Sequence, residues 1–194
     1  MSHQKRYAPA SPHDPLIEIF PDIYLLRGSI NFGFGFGLRM NRNMIIIKQN
    51  QELILVNPVR MNDDGLAHLE QLGNIRHIIR LGDFHGLDDQ FYRDTYQAQL
   101  WSQPDHHTYK NLQPDRLITP HIKPPIANAT FFIFATAKYP KAALLIQPAK
   151  LLITTDCVQY WADWKYTSFV RRIILWLMGF RLGLFIGGPW LNPE

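Results

Sequence analysis

The sequence predicts a mixed α/β (α+β) fold, because two β-hairpin patterns enclose a strand–helix alternation. The apolar runs 44–48 and 53–56 flank a polar turn, and the runs 142–146 and 151–155 flank a proline-containing turn. Apolar runs paired around such turns are typical of hairpins. Before the first hairpin, phenylalanine and glycine alternate over residues 32–37, which predicts a further strand with its aromatic side chains on one face.

Between the hairpins the apolar period changes from strand-like to helix-like. Residues 62–64 are Asn-Asp-Asp, which are residue types that cap helix N-termini, and three leucines then recur on one side before Gly73. Residues 76–81 predict a buried strand, and a second helical pattern begins near Phe91. The expected order is therefore strands, hairpin, helix, strand, helix and a second hairpin.

Length and composition predict one domain. Residues 1–19 are polar and proline-rich and are expected to form a flexible arm, and residues 20–194 form the domain. The 20 basic and 16 acidic residues leave a net charge of +4, scattered along the chain, so no nucleic-acid partner is expected. Cys157 is the only cysteine and the N-terminus has no apolar signal-peptide core, which favours a cytoplasmic location.

The titratable chemistry concentrates in one loop. Directly after the strand at 76–81 come one histidine and three carboxylates, His85, Asp83, Asp88 and Asp89. Ligands of open α/β sheets bind where strands end in this way. Imidazole and carboxylate groups suit zinc, manganese or iron. The alternative is structural, since Asp88 and Asp89 also stand where they would cap the following helix.

The element order and two motifs resemble the metallo-β-lactamase fold, an αββα sandwich. The stretch LGDFHGLDDQ is similar to that family's H-x-H-x-D-H motif, with Asp83 and His85 at the first two histidine positions. Asp88 and Asp89 follow as the Asp-His pair, after one extra residue. LLITTDCV resembles the family's LLFTGD segment, which makes Asp156 the counterpart of a bridging carboxylate. The resemblance covers residues 20–158.

The resemblance implies a metal-dependent hydrolase that acts on a small molecule, with zinc, manganese or iron as its cofactor. It implies these metal ligands: Asp83, His85, Asp88, Asp89 and Asp156. A metal lowers the pKa of a bound water, and Asp88 or Asp89 would be the catalytic general base.

The chain also departs from the family's pattern. Asn57-Pro58 replaces its strand-end aspartate, residues 134–145 contain no histidine, and the second half of the fold is expected to be incomplete. The departures predict a degenerate metal site. They leave open an alternative without a cofactor, in which the protein is a non-catalytic binding or scaffold member of the fold.

Three aromatic residues follow the second hairpin, Tyr160, Trp161 and Trp164. They suit a substrate-binding wall beside Asp156, or they pack a C-terminal helix against the sheet.

That C-terminal segment, residues 169–191, is apolar but interrupted by arginines, so no transmembrane span is expected. The remaining alternatives are a helical segment that packs on the domain or on a partner, and one that makes peripheral contact with a membrane surface. The sequence does not indicate an oligomeric state.

Overall fold

The computed structural model of the chain describes residues 7–32, 38–105 and 107–186. Its first layer is a seven-stranded sheet with the strands in sequence order. The first four strands are antiparallel neighbours, whereas β4 to β7 run parallel. The strands are β1 (Ile17–Phe20), β2 (Ile23–Phe32), β3 (Leu38–Gln49), β4 (Glu52–Val56), β5 (Asn74–Ile79), β6 (Gln99–Ser102) and β7 (Arg116–Leu117).

The predicted hairpin at 44–56 is confirmed as the paired ends of β3 and β4. Of the alternating stretch at 32–37, Phe32 is the last residue of β2. The further strand predicted there falls mainly on residues 33–37, which lie outside the described residues.

Two helices cover one face of this sheet, α1 (Asp63–Leu72) and α2 (Asp89–Tyr96). The predicted cap is confirmed, because the Asn62 side chain accepts a hydrogen bond from the Gly65 N–H at 2.9 Å. Leu69 of α1 and Tyr92 of α2 are fully buried in a core that also contains Leu55 of β4. Burial of these apolar side chains holds the helices on the sheet.

A second sheet covers the other face, with β8 (Ala129–Ile133), β9 (Ala142–Ile146) and β10 (Leu151–Ile153). The predicted second hairpin is confirmed as β9 and β10. Ile54 and Ile79 of the first sheet pack with Leu144 of the second in a separate core between the sheets. On the outer face of the second sheet, Phe132 and Leu152 are 60% and 54% exposed. No helix of the described residues covers them, so the second half of the sandwich is incomplete over the part of the chain that the structure describes, as predicted.

The C-terminal part differs from the expected helical segment over residues 169–191. A helix, α3 (Phe169–Leu177), is followed by a strand, β12 (Gly183–Ile186), which pairs with β11 (Val158–Trp161). Gly179 has a φ of 90°, a conformation that ends helices and favours glycine. Residues 187–191 lie outside the described residues.

The sequence predicts a flexible arm over residues 1–19, but the described residues 7–19 make specific contacts with the domain. β1 pairs with β2, and the Tyr7 hydroxyl donates to Asp94 Oδ2 at 2.9 Å. The Asp14 carboxylate accepts hydrogen bonds from Lys165 Nζ at 2.5 Å and from the Tyr166 hydroxyl at 2.6 Å. Side-chain contacts over these long sequence separations fix the segment, and local composition does not record them.

Candidate functional site

A polar pair at the edge of the two sheets joins His85 to Asp156. His85 ends a short 3-10 turn after β5, and Asp156 follows β10 in the second sheet. His85 Nε2 and Asp156 Oδ1 lie 3.2 Å apart, and their side chains are 20% and 28% exposed. Burial disfavours the Asp156 carboxylate, but the hydrogen bond to His85 and the charge of Lys141 outweigh it and hold the pKa of Asp156 below its usual value.

Lys141 lies behind this pair, immediately before β9. A bridge to Gly82 and the hydrogen bond from the Ala142 N–H to the Leu81 carbonyl place it against the end of β5. Its Nζ is 3.9 Å from Asp156 Oδ2, and its side chain is fully buried. Burial lowers the pKa of Lys141 to about 8, against the attraction of Asp156. We call His85, Asp156 and Lys141 the polar row.

Sequence reasoning missed Lys141. A lysine next to an apolar strand is the only local signal of its position, and charged residues at strand ends are ordinarily exposed.

Asp83 is engaged by the loop that follows β6. Asp83 Oδ1 accepts hydrogen bonds from the His107 N–H at 2.8 Å and from the Thr108 N–H at 3.3 Å. Its Oδ2 accepts from the Thr108 hydroxyl at 2.7 Å, and the residue is 1% exposed. Both carboxylate oxygens therefore hold this loop in place.

Asp88 and Asp89 are paired with buried arginines. Asp88 Oδ2 accepts from Arg42 Nη1 and from the Arg60 N–H, both at 3.0 Å. Asp89 Oδ2 lies 3.5 Å from Arg80 Nε, and both side chains are almost fully buried. Burial raises the pKa of both carboxyls, that of Asp89 to about 6, and the arginines oppose the shift. Asp88 makes no side-chain capping bond to α2, and its Oδ2 is engaged by Arg42 and by the backbone of Arg60 instead.

A pocket of about 650 Å³ opens between the sheets beside the polar row. Its apolar walls include Leu25 of β2 and Ile153 of β10. Its polar end contains His85, Asp156 and Thr155, whose buried hydroxyl has no hydrogen-bond partner among the described residues. This end of the pocket therefore offers a hydroxyl, an imidazole and a carboxylate to a bound molecule.

The three predicted aromatic residues divide between two places. Tyr160, which is 70% exposed, and Trp161 line the pocket. Trp164 lines a shallow hollow of about 240 Å³ beside α3. The Trp161 ring centroid lies 4.8 Å from that of Trp164 and 5.9 Å from that of Phe180, so Trp161 also packs the C-terminal segment.

The structure does not bring the five predicted metal ligands together as one group. His85 and Asp156 meet, whereas protein donors or arginines engage the other three carboxylates. Over residues 7–32, 38–105 and 107–186, no three His, Cys, Asp or Glu side chains are arranged to hold an ion. The ammonium group of Lys141 also repels a cation bound at Asp156. The described residues therefore do not fit a divalent metal centre; His106 lies outside them.

Comparison with known proteins identifies the fold. Neither a protein-family model nor a curated protein sequence matches the chain. A metallo-β-lactamase from Hirschia baltica aligns with a TM-score of 0.59 and 11% identity, over 77% of this chain and 75% of that one. The DIM-1 metallo-β-lactamase aligns with a TM-score of 0.59 and 8% identity, over 78% and 74%.

The metallo-β-lactamase FIM-1 from Pseudomonas aeruginosa, in its mono-zinc form, aligns with a TM-score of 0.50 and 12% identity, over 68% and 64%. The chain therefore has the metallo-β-lactamase fold, as its motifs predict.

Proposed function

We propose that this protein binds a small molecule in the pocket between its sheets, without a divalent metal ion. The observation that carries the proposal is the polar row. Lys141 provides a positive charge 3.9 Å from Asp156, so an internal cation balances this carboxylate. A divalent ion at the same carboxylate would have to be bound beside that ammonium group, at a cost in electrostatic repulsion.

The pocket favours a ligand with an apolar body and one polar end. A volume of about 650 Å³ lies within the range of small-molecule sites, which are typically about 300–1,000 Å³. The buried Thr155 hydroxyl costs about 1–3 kcal/mol while it lacks a partner, and a ligand that satisfies it recovers part of that cost. Asp156 orients His85, which presents a fixed imidazole to the same ligand.

A screen of fragments by ligand-observed NMR tests this proposal. Fragments that carry an aromatic ring and one hydrogen-bonding end should bind the parent protein. Their signals should be lost in Leu25→Trp, which fills the pocket, and weakened in His85→Ala. The matched control is Phe132→Trp, on the outer face of the second sheet, which should bind as the parent does. Equal binding by Leu25→Trp and Phe132→Trp would contradict the proposal.

The second candidate function is a metal-dependent hydrolase. His85 and Asp156 favour this candidate, because they lie in contact where two strands of separate sheets end. Both are metal ligands according to the resemblance to the metallo-β-lactamase fold. Elemental analysis separates the two candidates, with protein purified without a metal-chelating tag and then incubated with zinc, manganese or iron. If the protein binds its ligand without a metal ion, the parent and His85→Ala should both contain less than one metal ion per chain.

Near-stoichiometric metal in the parent and none in His85→Ala would favour the hydrolase instead. Turnover of an ester, thioester, lactone or phosphodiester that is abolished by His85→Ala would identify its substrate class.

A further inference from the structure

The helix α3 exposes its apolar side. In an ordinary surface helix the apolar side chains face the core. In α3, Leu175 is 2% exposed, whereas several large apolar side chains face solvent. They are Phe169 (73%), Val170 (56%), Ile173 (47%), Trp176 (57%) and Leu177 (72%). The spacing of positions 169, 173, 176 and 177 places them on one face of the helix. The exposed apolar side chains therefore form a continuous stripe along α3.

The residues that follow α3 also expose large apolar side chains. Met178 and Leu182 are 61% and 54% exposed. In β12, Leu184 is 74% and Ile186 57% exposed, and Leu184 stands opposite the exposed Tyr160 of β11. A patch of exposed apolar side chains this dense marks an interaction surface in a folded protein. We call the exposed apolar side chains of residues 169–186 the C-terminal face.

The charge of this segment decides which partner it suits. Residues 164–186 contain four basic residues and no aspartate or glutamate; the four are Lys165, Arg171, Arg172 and Arg181. The other 16 basic residues of the chain equal the 16 acidic residues in number, so residues 164–186 account for the formal net charge of +4. Lys165 is paired with Asp14, and the C-terminal face itself carries the three arginines. The Arg181 guanidinium lies 4.7 Å from the centroid of the exposed Trp176 ring, which places positive charge on the apolar stripe itself.

We infer that the C-terminal face docks the protein on an anionic membrane surface. Apolar and tryptophan side chains that enter the interface, accompanied by arginines and no acidic residue, are the features of segments that lie in the headgroup region of anionic lipid. A second copy of the chain fits less well, because a symmetric pairing of these faces would bring the three arginines of each copy together. None of the described helices is long and apolar enough to cross a membrane.

Flotation of the full chain with lipid vesicles tests this inference. The parent should float with vesicles of phosphatidylcholine mixed with phosphatidylglycerol, and much less with phosphatidylcholine alone. Added salt should weaken the binding, because it screens the arginines. Each basic residue near such a surface contributes about a fivefold change in partitioning, so Arg181→Gln should lose about fivefold.

The apolar contribution is tested by a matched pair of double variants. Phe169→Ser with Leu177→Ser removes two exposed side chains of the C-terminal face and should abolish flotation. Phe132→Ser with Leu152→Ser removes two comparably exposed side chains from the second sheet and should float as the parent does. Far-ultraviolet circular dichroism checks that all variants fold.

Absence of flotation at low salt, or an equal loss in both double variants, would overturn the inference. So would a dimer in sedimentation equilibrium that only Phe169→Ser with Leu177→Ser dissociates, since a second copy would then cover the face.

Discussion

Replacing Lys141 by methionine is expected to change how the stability of the protein depends on pH. Burial lowers the pKa of Lys141 from 10.5 in the unfolded chain to about 8 in the fold. Between these values the unfolded chain binds a proton that the folded chain has released, so the free energy of unfolding rises with pH. Below pH 8 the full penalty of a buried ammonium group applies. Methionine has a similar shape and no charge to bury.

The magnitude follows from the shift of 10.5 minus about 8. At about 1.4 kcal/mol for each pKa unit, the charged lysine costs the fold about 3 kcal/mol near neutral pH. Most of this cost, about 2–3 kcal/mol, should disappear between pH 7 and pH 10. The pKa of about 8 already includes the attraction between Lys141 and Asp156, which favours the charged lysine and which the parent also loses once Lys141 releases its proton. The predicted change with pH therefore takes this ion pair into account.

The assay is urea unfolding followed by tryptophan fluorescence, at pH 7, 8, 9 and 10. The measured quantity is the free energy of unfolding of Lys141→Met minus that of the parent, which should fall by about 2–3 kcal/mol across the series. The control is Lys123→Met, at an exposed lysine, whose difference from the parent should vary little. A difference for Lys141→Met that stays flat from pH 7 to pH 10 would mean that Lys141 keeps its proton throughout, and the predicted lowering of its pKa would then be wrong.

Three further changes test the packing that holds the site. Arg80→Met leaves the buried Asp89 without its charge partner and should cost about 3–5 kcal/mol at pH 7; the cost should shrink at pH 5, below the Asp89 pKa of about 6, where the carboxyl is neutral. Gly86→Ala would place a methyl group 2.6 Å from the Tyr109 ring, at a backbone φ of −94° that alanine tolerates, so crowding alone should cost about 1–3 kcal/mol. Leu55→Ala opens a cavity at a fully buried position and should cost about 2–5 kcal/mol. Chemical denaturation measures all three, and a loss below about 0.5 kcal/mol would place the residue outside the tightly packed interior.

Local patterns were enough to predict most of the elements around the site. The hairpins at 44–56 and 142–155 depend on apolar runs and turn residues that are adjacent in the chain. The start of α1 depends on the Asn62 side chain and a backbone N–H three residues later. Signals of this kind lie within a few residues, so the sequence displays them directly.

The partners of the site residues could not be predicted in the same way. Asp83 is bound by a loop 24 and 25 residues away, and Asp88 by Arg42, 46 residues away. Asp156 is within reach of Lys141 and His85 because β9 and β10 place the end of the second sheet against the end of β5. A carboxylate has the same local pattern whether it holds a metal, an arginine or a loop.

Sequence patterns alone account for the αβ layering, the strand-end position of His85 and Asp156, and the basic, apolar character of the C-terminal segment. These are properties of period, turn chemistry and composition, which are local. Only the packed fold shows that three of the four predicted carboxylate ligands, Asp83, Asp88 and Asp89, are engaged elsewhere. It also shows that Lys141 is buried beside Asp156 and that the apolar side of α3 faces outward. Each of these depends on contacts between segments far apart in the chain, where the balance of burial and charge is set only after the layers pack.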